Sequence, residues 1–166
     1  MGVLNQKNDE YDPLEYFTYE LKAAESRRQY PRRLKVFLDF LKLKGSLKEQ
    51  AKYFWLMAKR DPRWAEDKLI QFIFAQKERV ESGNISPSTV PNYYKATKLF
   101  CDMNQIVLNW KKIAKGLPCV RDVANDRAPT QDEILKVVEY PDRRIKPIVL
   151  IMVSSGIRIG AFDYLK

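Results

Sequence analysis

One arginine near the carboxyl end of the chain stands in surroundings that suit anion chemistry. Arg158 follows a break of small residues, 154–156, and an apolar run, 148–153, precedes that break. Gly156 can end the helix formed by this run in a left-handed conformation. Arg158 is then expected at or near the start of the next helix, held between two buried elements. A guanidinium carries five donors in a rigid fork, which suits binding a phosphate or stabilising an oxyanion.

A second group of candidate residues is cationic and crowds the start of a predicted helix. Exposed amides and the positive end of the helix dipole favour phosphate at such a position. Two further lysines are expected on the polar face of a later helix. Together these groups would neutralise backbone phosphates and give a salt-sensitive, mostly non-specific affinity for DNA. The candidate DNA-binding residues are Arg27, Arg28, Arg32, Arg33, Lys35, Lys95 and Lys98.

Two other groups have simpler structural explanations. The lysines at the end of a short predicted helix, Lys111, Lys112 and Lys115, suit solvation and the negative end of the helix dipole. Aromatic residues at helical spacings are expected in the core before they are base-stacking platforms. These aromatic residues are Trp55, Trp64, Phe72, Phe74, Tyr93 and Phe100.

The net charge of the 166-residue chain is +9 and its pI is about 9.5, so an anionic partner is expected. The charge is uneven: residues 1–21 carry −4, residues 22–122 carry +12 and residues 123–166 carry +1. This asymmetry argues for a binding surface more than for general solubility.

The composition excludes several classes of protein. There is no histidine, and Cys101 and Cys119 fit neither a disulfide framework nor a metal site. Neither a metal nor a small-molecule cofactor is expected. The acidic, polar start is unlike a signal peptide, and the longest apolar run, 148–153, is too short to span a bilayer. We therefore expect an intracellular protein, cytoplasmic and associated with the nucleoid, without a membrane partner.

The pattern of apolar residues predicts an all-α protein, since glycines are few and leucine, isoleucine, lysine and glutamate are frequent. Residues 1–12 are a polar lead, residues 13–118 a module of four or five helices, and residues 119–129 a linker. Residues 130–166 begin a second helical region. Asp61 followed by Pro62 indicates a helix start, and Ser86 or Ser88 another. Three capping boxes are predicted at Ser26 with Gln29, Ser46 with Glu49, and Thr130 with Glu133.

The segment around Arg158 resembles the first arginine box of the tyrosine recombinases, or phage-type integrases. That box reads approximately Thr-Gly-Leu-Arg-Ile-(Gly/Ser)-Glu-Leu, and residues 155–160 read Ser-Gly-Ile-Arg-Ile-Gly. Ala161 departs from the pattern, since most of the family has an acidic residue there to support the arginine. Residues 160–166 look like an archaeal variant of the box.

Two further stretches resemble the same family in the expected order. Residues 86–100 are similar to its Ser-x-x-Thr-(aliphatic)-x-x-Tyr-x-x-x-(Leu/Ile)-x-x-Phe helix, and residues 127–134 to the Arg-x-Pro-Thr-x-x-Glu opening of its catalytic domain. Residues 109–110 and 116–118 stand where the family usually ends its core-binding domain. The resemblance covers roughly residues 26–166.

The resemblance implies a small, four- to five-helix, SAM-like core-binding domain followed by a truncated helical start of a catalytic domain. Arg158 would be the first catalytic arginine of the family set. Tyr164 lies too close to Arg158 to be the nucleophile, and the other catalytic residues would lie beyond Lys166. The implied partner is double-stranded DNA, with possible self-association on DNA sites, and the chain alone is expected to be inactive.

Three interpretations stay open at this point. The chain is the DNA-binding part of a longer recombinase that performs DNA integration, or a stand-alone helical DNA-binding protein such as a catalytically dead integrase remnant. Alternatively, it is a helical protein-interaction module.

Overall fold

The computed structural model describes residues 11–119, 128–140, 142–157 and 160–161. Within these residues the chain forms eight α-helices, with 71% of the residues helical and no strand. The predicted all-α class is therefore confirmed.

The chain divides into two compact units, residues 1–121 and residues 122–166. The division falls inside the segment 119–129 that the sequence assigns to a linker, while the finer domain bounds remain a prediction. The described part of the first unit contains α1 (Pro13–Tyr19), α2 (Ala24–Phe40), α3 (Leu47–Arg60), α4 (Pro62–Glu81), α5 (Thr89–Met103) and α6 (Trp110–Ala114). The second contains α7 (Gln131–Val138) and α8 (Ile145–Ser155).

The first unit has six helices among its described residues, where the count expected was four or five. The two shortest are α1 with seven residues and α6 with five. An isolated helix of that length is marginal in water, so both depend on packing against the longer helices. Phe17 anchors α1 and Ile113 anchors α6, with 0% and 1% of their surfaces exposed.

The helix starts at Ser46 and Asp61 are confirmed. The hydroxyl of Ser46 accepts from the backbone amide of Glu49, and the Glu49 carboxylate accepts from the amide of Ser46 over 2.7 Å. The Asp61 carboxylate accepts from the amides of Arg63 and Trp64, and proline fills the first position of α4. These groups satisfy amides that have no partner inside the helix.

The capping box predicted at Ser26 is wrong. α2 begins two residues earlier, at Ala24, and its N-cap residue Ala23 makes no side-chain hydrogen bond. The Gln29 side chain, which should reach back to Ser26, donates instead to the carboxylate of Glu25 over 2.7 Å. Ser88 precedes α5 as expected, but its side chain does not cap the helix.

Five phenylalanines, one from each of the first five helices, form the centre of the first unit. Their rings meet edge-on or tilted, with centroids 5.1 Å apart between Phe37 and Phe54 and 5.3 Å apart between Phe37 and Phe72. Such pairs add about 0.5–1.5 kcal/mol each beyond the burial of their surfaces. The five residues are Phe17, Phe37, Phe54, Phe72 and Phe100.

A buried asparagine ties the beginning of the first unit to the end of α5. The amide nitrogen of Asn104 donates to the carbonyl oxygens of Pro13 (3.0 Å) and Phe100 (2.8 Å). Its amide oxygen accepts from the hydroxyl of Tyr11 over 2.9 Å. Because only 1% of Asn104 is exposed, these bonds satisfy a side chain that water cannot reach.

One aromatic residue predicted for the core is on the surface instead. Trp55, Phe72 and Phe100 are buried, and Trp64 and Tyr93 are half-buried. Phe74 is 57% exposed, which corrects the prediction. The buried face of α4 includes residues 69, 72, 73 and 76, and the side chain at residue 74 points away from that face.

The second unit consists of α7 and α8, which pack against each other. α7 begins with the predicted capping box of Thr130 and Glu133, and α8 ends at Gly156, whose φ of +68° is left-handed as expected. No described side chain of either helix is buried, so the expectation that the run 148–153 is a buried element is wrong for this unit by itself. No described helix is long and apolar enough to cross a bilayer.

Candidate nucleic-acid interface

The positive charge of the chain belongs to the first unit. Its described residues, 11–119, contain 21 lysines and arginines against 12 aspartates and glutamates, a net charge of +9. The described residues of the second unit contain four of each and are neutral. An anionic partner attracted by charge would therefore meet the first unit.

Several carboxylates of the first unit are held by the fold itself. Asp61 and Glu49, for example, are fixed by the backbone amides at helix starts, and Glu66 accepts from the amide of Asn109 over 2.7 Å. Because cations outnumber acids 21 to 12 in this unit, many lysines and arginines have no carboxylate bound to them among the described residues. The carboxylates that accept from backbone amides are Asp12, Glu49, Asp61 and Glu66, while Asp39 accepts from the side-chain amide of Gln50.

Only some of the cations are paired among the described residues. In the first unit, pairs with carboxylates include Arg28 with Glu25, Lys35 with Asp39, Lys48 with Asp12, and Lys112 with Glu66. Most of the other cations of this unit make no ion pair with a described residue.

α2 brings three of the predicted DNA-binding residues to one exposed face. Arg28, Arg32 and Lys35 are spaced by four and three residues, which places them on neighbouring turns of the same side of a helix. All three are exposed to solvent. We call Arg28, Arg32 and Lys35 the α2 basic face.

Two carboxylates lie on the α2 basic face as well, and the sequence analysis missed their role. Glu25 binds Arg28 through two bonds of 3.0 and 2.7 Å, and Asp39 binds Lys35 over 2.7 Å. Hydrogen bonds from Arg28 and Gln29 lower the pKa of Glu25 to about 2. The bond from Lys35 is the main cause that lowers the pKa of Asp39. Both acids therefore stay charged at neutral pH. Their spacings of three and four residues from the cations were visible in the sequence.

Arg32 is the member of the α2 basic face without a hydrogen bond or ion pair among the described residues. A longer-range attraction to Arg32 contributes to the lowered pKa of Glu25. Its guanidinium is therefore the one most ready to accept a phosphate.

The two other arginines predicted for this cluster lie apart from the α2 basic face. The Nε of Arg27 donates to the backbone carbonyl of Leu21 over 2.6 Å, which braces the connection between α1 and α2. The guanidinium of Arg33 lies 5.6 Å from the ring centroid of Tyr30, within the range of a cation–π contact. Arg27 and Arg33 thus make contacts within the fold, whereas Arg28 and Arg32 belong to the exposed α2 basic face.

Lys95 and Lys98 lie on α5, which packs directly against α2. Lys95 is exposed and Lys98 half-buried, and their spacing of three residues places them on one side of the helix. Neither makes an ion pair with a described residue. They form a second cationic site on the neighbour of α2.

Most residues of the recombinase resemblance are described, but Arg127, Arg158 and Tyr164 lie outside the described residues. The geometry of the candidate catalytic arginine is therefore not part of this structure. Among the described residues, no cluster of histidine, cysteine, aspartate and glutamate could hold a metal ion. Burial raises the pKa of the Cys101 thiol, which makes that side chain a packing residue.

Known proteins give no relative for this chain: no family model matches it, and neither does any curated protein or solved structure.

Proposed function

We propose that the first unit binds double-stranded DNA through its cationic surface, with the α2 basic face and the lysines of α5 in contact with backbone phosphates. The observation that supports this most is the confinement of the charge: +9 on the described residues of the first unit and none on those of the second. Duplex DNA is a dense line of negative charge, and a protein that neutralises its phosphates gains affinity by releasing counterions.

The ion pairs on the α2 basic face do not prevent this role. The side chains of Arg28 and Glu25 are 58% and 64% exposed, and those of Lys35 and Asp39 are 51% and 49% exposed. Exposed pairs of this kind contribute little to stability, so the cations can exchange a carboxylate for a phosphate at small cost. A guanidinium also binds phosphate in the same two-bonded geometry that it uses with a carboxylate.

The contacts proposed here would be sequence-independent. Phosphate contacts fix position and orientation on a duplex, whereas base contacts carry specificity. We propose that this affinity serves a tyrosine recombinase, in which the first unit grips DNA and Arg158 belongs to the catalytic set. That assignment is supported by the sequence resemblance, and the chain alone would lack strand-exchange activity.

Lysine footprinting tests the proposed surface directly. The full chain is acetylated with and without an excess of duplex DNA, and the modified lysines are identified by mass spectrometry. We expect DNA to protect Lys35, Lys95 and Lys98. Lys136 and Lys146, exposed lysines of the second unit, are the internal control and should react equally in both samples. Equal reactivity of all five lysines with and without DNA would refute the proposed interface.

The second unit supports a different candidate function, a protein-interaction module. Its described apolar side chains are largely uncovered within the unit itself, and exposed apolar groups of this kind mark interaction surfaces. They are Leu135, Val137, Tyr140, Leu150, Ile151 and Val153, each 40–61% exposed. This candidate would lead if the footprint shows no protection and the chain does not bind DNA.

A further inference from the structure

A small cleft lies between α4 and the α6 region of the first unit, apart from the α2 basic face. Its volume is about 320 Å³, at the lower end of the range for ligand sites in proteins. Ile70, Ile73 and Ile113 form an apolar floor. Ile73 and Ile113 are 3% and 1% exposed and belong to the hydrophobic core, so the floor is anchored in the folded unit.

Gly116 completes the cleft and keeps its two sides close. A Cβ atom at residue 116 would lie 3.3 Å from the Cγ2 of Ile73, a distance that would force the isoleucine to move. A side chain there would push into the cleft, so glycine leaves the apolar floor accessible.

The side chain of Phe74 lies at the cleft with a free aromatic ring. It is 57% exposed, and its ring contacts no other aromatic ring among the described residues. Phe72, two residues earlier on α4, contacts the rings of Phe37, Phe40 and Tyr93. An exposed phenylalanine gains nothing from water, whereas its face offers a stacking platform for a flat ring.

Three lysines surround the same cleft from two directions. Lys77 lies one turn after Phe74 on α4, while Lys112 and Lys115 come from the α6 region on the other side. Lys112 shares the carboxylate of Glu66 at 3.6 Å, and that carboxylate also accepts from the amide of Asn109. Lys77 and Lys115 have no hydrogen bond or ion pair among the described residues. No carboxylate of a described residue lines the cleft.

We propose that this cleft binds one unpaired nucleotide of single-stranded DNA. The base would stack on Phe74 above the isoleucine floor, and the phosphates on its two sides would meet Lys77 and the lysines of the α6 region. This combination of aromatic stacking and flanking cations is how proteins hold single strands without reading their sequence. The proposal rests on the proposed function, because it gives the DNA-binding unit a second site for the unpaired end of a duplex.

An acidic peptide would satisfy the lysines equally well. The free ring of Phe74 favours a nucleotide. A flat base can stack on the face of the ring, and the phosphates that flank its nucleoside would lie toward the two sides of the cleft. An acidic peptide has no flat group of this kind at every residue, and it is kept as an outcome of the test.

The test compares two DNA hairpins binding to the full chain, one blunt and one with a short oligothymidine overhang. Stacking of one base is worth about 1–3 kcal/mol, so the overhang should tighten binding by at least about fivefold. The Phe74→Ala variant should lose this gain and keep its affinity for the blunt hairpin. The Phe74→Tyr variant, which retains a ring, should keep the gain.

Two further variants separate stacking from charge. The Lys77→Gln/Lys115→Gln variant should reduce the salt dependence of overhang binding by roughly 1.4 units of slope, since each single-strand phosphate contact contributes about 0.7. Tyr19→Ala is the matched aromatic control, because this ring is 83% exposed on α1, which packs on α3 and α5. It should leave the overhang gain unchanged. Circular dichroism checks that every variant is folded.

The outcomes of this test distinguish the two proposals. If the blunt hairpin binds but the overhang adds nothing, or Phe74→Ala keeps the gain, the cleft does not take an unpaired base while the duplex proposal stands. If neither hairpin binds, the proposed DNA function itself fails. If Phe74→Ala keeps the overhang gain and an acidic oligopeptide abolishes that gain by competition, the lysines bind anionic peptides and the stacking site is refuted.

Discussion

Two opposite substitutions on the α2 basic face give the sharpest prediction for the proposed interface. Arg32→Gln removes the cation without a partner, and Glu25→Gln removes the carboxylate that holds Arg28 through two bonds. Each change alters the charge by one unit on a surface that is already exposed, and neither creates a cavity. The two variants should change the affinity for duplex DNA in opposite directions.

The expected magnitude follows from the number of phosphates neutralised. Each phosphate contact makes the slope of log affinity against log salt steeper by about 0.9, so Arg32→Gln should make it shallower by about 0.9. Glu25→Gln frees Arg28 from its ion pair and should make the slope steeper by a similar amount at most. Replacement of Arg28, Arg32 and Lys35 together by glutamine should make the slope shallower by about 2.7, since three contacts are lost.

The assay is fluorescence anisotropy of a labelled duplex across a salt series. Matched controls come from the second unit, where Arg143→Gln and Glu139→Gln make the same charge changes at exposed residues. They should change the slope by much less than the α2 variants. If Glu25→Gln and Glu139→Gln tighten binding equally, net charge alone governs the affinity and the α2 basic face is not the interface.

The remaining predictions concern the candidate arginine and the stability of the fold. Arg158→Ala should leave the duplex affinity of this chain within about twofold, because the proposed phosphate contacts lie on the first unit; one lost contact would cost roughly eightfold at 0.1 M salt, and a loss of that size, measured by anisotropy, would mean that Arg158 already grips DNA. Asn104→Ala should lower the free energy of unfolding in urea by about 1–3 kcal/mol, because buried partners lose their hydrogen bonds; the exposed Asn84→Ala is the control and should change little. Hydrogen bonds from the amide and hydroxyl of Ser46 lower the pKa of Glu49, and those from Arg28 and Gln29 lower the pKa of Glu25 to about 2. In their charged form these two acids stabilise the folded state at pH values above their ordinary pKa of 4.5, so thermal stability should fall as the pH drops from about 4.5 to 2. Constant stability over this range would mean that these hydrogen bonds do not stabilise the fold.

Local sequence was sufficient to predict most helix starts. Ser46, Asp61 and Thr130 cap their helices through side chains that reach amides only two or three residues away. The prediction at Ser26 was wrong because Glu25 competes for the same side chain: its carboxylate binds both Gln29 and Arg28. Capping patterns predict a helix start only where no stronger neighbour takes the same side chains.

Helix geometry predicts that at least one of residues 72–74 is exposed, but it does not say which one. Residues 72–74 are three consecutive apolar side chains, and successive residues in a helix point about 100° apart. A helix packed on one side can bury two of them at most, and α4 buries Phe72 and Ile73. The partner rings of Phe72 lie on α2 and α5, so the sequence alone could not say which two would be buried.

The candidate interface was predicted as a list of charges and not as a surface. The spacing of Arg28, Arg32 and Lys35 could have placed them on one side of α2, but the roles of Arg27 and Arg33 depend on Leu21 and Tyr30. The Arg27–Leu21 contact arises only once the chain between α1 and α2 has folded back, whereas the Arg33–Tyr30 contact joins residues three apart within α2. The cleft beside Phe74 could not be predicted either, because its lysines come from residues more than thirty positions apart.

Binding of the full chain to duplex DNA across a salt series tests whether the charge of the first unit grips DNA. We expect measurable binding at about 0.1 M salt and a steep loss of affinity as salt rises, with a slope of roughly −3 or steeper, since at least three phosphates would contact the α2 basic face. A flat salt dependence, or no binding at low salt, would contradict the proposal, because the cationic surface of the first unit would then not bind DNA phosphates.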